Sequence, residues 1–264
     1  MDFYFASLAI LFYSLSAYFQ VLVAKRQWPL RRWVLTLGCL GVLMHGALVH
    51  VIIDTASGQN LTLLNMVSFC LWVVALLIAM MSLFKPVEMN VIFIFPLAAL
   101  GIVIDMLFPG HFFVQTGSDP YELVHIFLSV SAVGVLIVAG FQALLYAMLE
   151  RHLKHKHLTT FLKQFPPLQT QEQLLFQVIW IGFLLLTLVL ITSVYFFHSM
   201  ILSQPVILQK TLLTLTAWLV FVVLLIGRYF WGLRGRMAIY STIGGVVLLV
   251  ITYLGSQLVV EAIH

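Results

Sequence analysis

The sequence predicts an all-α polytopic membrane bundle of about eight transmembrane helices, with the N-terminus and the C-terminus outside. Three observations lead there: an overwhelmingly apolar composition, apolar runs of membrane length separated by short polar breaks, and lysine and arginine gathered in alternate breaks. Hydrophobic residues fill 62% of the 264 positions and charged residues 8%, at a mean hydropathy of +1.10. That balance leaves too little polar surface to clothe a water-soluble domain. A bilayer core about 30 Å thick takes roughly 20 apolar residues per helix. In lipid the backbone must satisfy its own hydrogen bonds, so runs of that length are helices.

The first run, residues 3–24, follows Met1-Asp2 with no basic region before it and no small-residue cleavage site after it, which marks a retained span rather than a signal peptide. The second, 33–54, follows the basic break Lys25 to Arg32 and carries Cys39 and, deeper than any other histidine, His45. The third, 61–84, holds Cys70 and ends before Lys85; the fourth, 90–108, ends near Asp105. A thiol inside an apolar span behaves as a small hydrophobe, so no disulfide and no redox pair is expected. The fifth, 120–147, opens Asp119-Pro120-Tyr121-Glu122. Asp at the N-cap, Pro at the first helical position and Glu at N3 specify a helix start. The sixth to eighth runs are 173–200, 206–227 and 237–262.

Twelve of the thirteen basic residues fall in the breaks after spans one, three, five and seven, and only Lys210 lies on the other side. By the positive-inside bias those breaks are cytoplasmic. The basic balance is therefore a signal of topology and of contact with membrane lipid, and gives no reason to expect nucleic acid. The longest break, from Met148 to Glu172, is too short for a soluble domain, and no internal repeat or low-complexity tract appears, so residues 1–264 read as a single integral membrane domain.

Polar groups inside spans are costly and tend to face a bundle interior or a site. His50, Asp54, Asp105, His111, Asp119, Glu122, His125, His198, Lys210, Glu261 and His264 all fall toward the predicted outer face. Five of these are histidines, and neutral imidazole is the usual nitrogen ligand of a metal or haem iron. His111, His198 and His264 stand where an exposed imidazole needs no special explanation. His125 lies about 8 Å into span five with Ser129 one turn below. His45 and His50 are five apart, about 140° around a helix, so at most one of them joins a given site. Lys210 reads either as a residue snorkelling to the interface or, with Thr211 and Trp218, as a clamp for an anion such as a propionate or phosphate. Trp218 alone reads as packing. His152, His155 and His157 alternate with Arg151, Lys154 and Lys156, whose charges oppose cation binding, so that stretch reads as a solvated basic loop. No Walker loop, HExxH, GxSxG or dinucleotide fingerprint is present.

The segment His125-Ile-Phe-Leu-Ser-Val-Ser-Ala-Val, then Gln142-Ala-Leu-Leu-Tyr, Pro167-Leu-Gln with Leu174-Leu-Phe, Lys210-Thr-Leu-Leu-Thr-Leu-Thr-Ala-Trp218, Gly232-Leu-Arg-Gly-Arg-Met-Ala238 and Tyr253-Leu-Gly-Ser256 resembles the cytochrome c assembly family of CcsA, CcmC and HemX-like membrane proteins. It looks closest to the short HemX/YpjD-like branch, and the match is strongest over 120–262. The resemblance implies a bacterial inner-membrane protein that handles haem b at the outer face, alongside other cytochrome assembly or membrane proteins. It also implies that His125 is an external iron ligand, that Lys210 and Trp218 line the cofactor, and that His264, nine residues past Gly255, is the second external histidine. His198 or a span-two histidine, His45 or His50, is the alternative partner. The tryptophan-rich signature of the larger members is absent, with Ser203-Gln-Pro-Val-Ile-Leu-Gln209 in its place, and Ile226-Gly227 stands where longer relatives carry a membrane histidine. The expectation is an accessory factor, not an enzyme. The rival expectation is a haem-free structural or regulatory subunit of another membrane protein such as an ion transporter. A transporter is disfavoured by the lack of an evident inverted repeat or broken midplane helices.

Overall fold

The computed structural model describes residues 2–26, 29–55, 58–84, 88–110, 113–114, 120–154 and 167–263. Among the described residues eight long helices carry the chain: α1 (Asp2–Arg26), α2 (Arg31–Ile53), α3 (Leu63–Phe84), α4 (Val91–Leu107), α5 (Pro120–Lys154), α6 (Leu168–Ser203), α7 (Pro205–Trp231) and α8 (Arg236–Ile263). Seven are long and apolar enough to cross a membrane. The eighth, α4, has 17 residues, or about 26 Å at 1.5 Å per residue, and is extended at its start by a 3₁₀ turn, Glu88–Asn90. The predicted polytopic all-α bundle is thus the observed architecture.

The described helices fall into two compact units, one built on α1–α4 and one on α5–α8. In the first, α1 packs along α2 and α4, and α3 lies against both α2 and α4. Helix α2 admits aromatic rings because it presents glycine where they approach. A Cβ on Gly41 would sit 2.7 Å from the Tyr13 ring, inside van der Waals contact, so only glycine lets α1 come this close. Tyr13 and Phe95 are both fully buried there, with ring centroids 4.9 Å apart. At one end, the Arg31 guanidinium donates to the Ser82 carbonyl at 3.0 Å and ties the start of α2 to the end of α3. At the other, three short antiparallel strands, β1 (Asp54–Thr55), β2 (Gly58–Asn60) and β3 (Phe113–Val114), form a small sheet in the order β1-β2-β3. No alternating pattern in the sequence marks these strands. Thr62 opens α3, its Oγ1 accepting from the Asn65 amide at 3.3 Å, while the Asn65 side chain donates to the Asn60 carbonyl at 2.8 Å.

In the second unit, α5 packs on α6 and α8, and α7 on α6 and α8. Helices α5 and α6 outrun the predicted spans 120–147 and 173–200, because a helix continues past the hydrocarbon wherever its polar residues find local partners. Lys154 pairs with Glu150 one turn back at 2.9 Å, and the His152 ring bonds the Met148 carbonyl at 2.8 Å. The predicted break is correspondingly narrower. Helix α7 also runs on, so Arg228 belongs to a helix and not to a loop. Its guanidinium pairs with the buried Glu172 of α6, donates to the Leu233 carbonyl at 3.2 Å and lies 4.6 Å from the Phe176 ring centroid. Beside this clasp Gln142 of α5 donates to Gln171 of α6. The chain leaves α7 through Gly232 at φ 61°, a left-handed C-cap that glycine takes without a Cβ penalty. Gln142 and Gly232, which carry part of the family resemblance, therefore lie at the basic end of this unit, Gln142 beside the clasp. Cys39 and Cys70 are both free thiols, Cys70 buried.

Candidate functional site

Helices α5 and α7 both begin with proline, Pro120 and Pro205, and place His125 and Lys210 five residues further on. At 1.5 Å per residue both side chains leave their helices about 8 Å below the start, the end opposite the basic clasp. Both helices belong to the second compact unit. Both side chains are half-buried. Among the described residues the Lys210 ammonium has no hydrogen bond or ion pair, although a lysine at this depth in an apolar helix ordinarily finds an anion or reaches the interface.

One partner of His125 comes from α6, where no motif in the sequence marks it. The His125 Nδ1 lies 2.8 Å from Oγ1 of Thr192 on α6. Ser129, expected on the same face, turns instead to its own helix and donates to the His125 carbonyl at 2.7 Å. One turn toward the helix ends Tyr121 and Phe196 stack, with ring centroids 4.7 Å apart and planes 16° from parallel. The α5–α6 seam thus carries an aromatic rung, Tyr121 with Phe196, next to a polar rung, His125 with Thr192. The only sequence signal for the second was the Thr192-Ser193 pair inside an apolar run.

Trp218 lies eight residues past Lys210 on α7, about 12 Å deeper. Its Nε1 donates to Thr187 Oγ1 of α6 at 2.9 Å, and its ring stacks on Phe183 at 5.6 Å. The indole is therefore held by α6 and its polar atom is satisfied. His45 and His50 belong to the first unit. His45 is fully buried, with Nδ1 3.2 Å from the Tyr13 hydroxyl and Nε2 3.2 Å from the Ser68 hydroxyl, so its ring bridges α1, α2 and α3. His50 is exposed and pairs with Asp54 at 2.8 Å, whose other oxygen accepts from Gln59 at 2.9 Å. His264, His111, His155, His157 and Asp119 lie outside the described residues, as do the side chains of Glu122, His198 and Glu261. Among the described residues no three of His, Cys, Asp and Glu are grouped to hold a metal ion. The described site therefore has one imidazole, one uncompensated ammonium and a set of flat aromatic neighbours.

A sequence model described as cytochrome C assembly protein matches residues 33–264. The chain is 29% identical over 262 residues, 98% of its own length and 98% of theirs, to the inner membrane protein YpjD of Escherichia coli strain K12 and to that of Escherichia coli O157:H7. No solved structure matches it.

Proposed function

Because the chain belongs to the cytochrome c assembly protein family, we propose that it binds or delivers haem at the outer face of the inner membrane as an accessory factor, with His125 as an iron ligand and Lys210 beside a propionate. The relatives named inner membrane proteins and the membrane-length helices support a multi-pass protein of that membrane. The reading takes the whole chain as one integral membrane domain and orients its basic helix ends to the cytoplasm.

The haem reading is carried by a half-buried imidazole and a half-buried lysine with no ion pair among the described residues, each five residues past the proline that opens its helix, on α5 and α7 of one compact unit. An isolated ammonium in such surroundings favours an anionic ligand, and an imidazole in the same unit favours one that also carries a metal. Haem b satisfies both demands, supplying an iron centre for the imidazole and carboxylates for the cation. Residues of this chain do the holding: His125 by coordination, Lys210 by charge, and Tyr121 with Phe196 by offering a flat apolar wall. Trp218 contributes by fixing α7 to α6 below the site. His264 is the proposed second iron ligand. No covalent step is assigned to the protein; its partners are haem, lipid and other assembly proteins.

Purification in mild detergent from haem-replete cells, followed by an absorption spectrum and a pyridine haemochrome assay, tests this. The expected result is a Soret band with b-type haemochrome. Protein free of haem under those conditions defeats the reading and leaves the haem-free subunit in its place.

A further inference from the structure

The hydroxyl of Thr192 has one hydrogen, and its position on α6 directs that hydrogen along its own helix. Oγ1 lies 2.9 Å from the Leu188 carbonyl and 3.0 Å from the Val189 carbonyl, both acceptors only. With the hydrogen given to either carbonyl, the 2.8 Å contact to His125 Nδ1 is made with the oxygen accepting and the ring nitrogen donating. The geometry points to Thr192 as the residue that fixes His125 in its Nδ1–H tautomer, so that Nε2 carries the lone pair presented to iron.

Three features make this more than a packing contact. The bond joins α5 to α6, so it orients the ring from a second helix and is not a local turn. Thr192 is β-branched and its hydroxyl is already held at one rotamer by the backbone bonds, which leaves the acceptor pre-aimed at the ring. A hydroxyl that donates to a carbonyl is also polarised into a better acceptor, and a stronger acceptor on Nδ1–H makes the other nitrogen a better donor to metal. Contrast His45, whose two nitrogens each face a hydroxyl that serves as donor or acceptor. There the tautomer is not determined by the partners, and the ring serves as a bridge. Thr192 is thus a positioning residue: it acts on the cofactor through His125. The iron part of the inference rests on the proposed haem function, whereas the tautomer does not.

Two readouts separate them. Solid-state NMR of the haem-free protein in lipid, labelled with ¹⁵N and ¹³C histidine, reads the tautomer of His125, assigned by the signal missing from His125→Asn. The expected spectrum has a protonated-type Nδ1 and an unprotonated-type Nε2; the opposite pattern overturns the inference whatever happens with haem. Haem titration then compares wild type, Thr192→Val and Thr192→Ser. Valine keeps the shape and removes the acceptor, and loss of such an outer partner costs ~10- to 100-fold in metal-site affinity. The expected result is that loss in Thr192→Val, with a raised midpoint potential as the imidazole becomes a weaker donor, and recovery of both in Thr192→Ser. Unchanged haem affinity and potential in Thr192→Val overturn the positioning role. Wild-type protein that shows the Nδ1–H tautomer yet takes up no haem supports the tautomer assignment and defeats the haem function alone.

Discussion

Among the described residues, the two histidines His45 and His125 meet different neighbours. The His45 ring meets Tyr13 and Ser68 in a fully buried setting, while His125 meets Thr192 in a half-buried one. Hydrogen bonds between membrane helices contribute about 0.6 kcal/mol on average and up to ~1.7. Tyr13→Phe is therefore expected to lower stability by about 1 kcal/mol, read as a shift in a detergent unfolding curve, and to leave any haem spectrum unchanged. A spectral change in that variant would move His45 into the haem site. Trp218→Phe keeps the stacking on Phe183 and loses the bond to Thr187, so a cost of similar size is expected with haem retained at somewhat lower affinity. The histidines themselves were legible in the sequence. Their partners were not, because Thr192 and Ser68 come from other helices and no spacing rule connects them to His125 or His45.

At the scale of the helices, hydropathy located every span to within a few residues where the helix ends with its apolar run, as in α1 to α4. It failed where polar residues carry the helix onward. Met148 to Lys154 and the Arg228 turn of α7 are helical because of Lys154–Glu150, His152 with the Met148 carbonyl, and the clasp on Glu172. The small sheet escaped the reading because strands of two or three residues are too short to show an alternating pattern. Two predictions belong here. Glu172→Gln removes the charge that Arg228 bonds and is expected to cost roughly 1.5–3 kcal/mol, measured by thermal unfolding; an unchanged midpoint would show that the clasp is dispensable. Gly41→Ala pushes a methyl into the Tyr13 ring, an overpacking worth about 1–3 kcal/mol. If the ring is the obstacle, adding Tyr13→Leu makes the double variant cost less than the sum of the singles.

For the whole molecule, composition and one-sided basic residues make the fold class readable, since a chain this apolar has few other stable solutions. The split into two four-helix units was not readable, because no repeat marks it and helix neighbours are set by side-chain packing. Orientation is checked by thiol labelling in a Cys39- and Cys70-free background. A cysteine at exposed Ser203 should react with an impermeant reagent from outside, and one at exposed Arg234 only from the cytoplasmic side. Reversed reactivity would put the His125–Lys210 end in the cytoplasm. The most direct test is a haem titration of the purified protein in detergent, followed at the Soret band, with wild type beside His125→Ala and Lys210→Ala. Saturable uptake by wild type, lost in His125→Ala and weakened in Lys210→Ala, is the predicted result. No uptake by wild type, or a His125→Ala spectrum identical to it, would contradict the site.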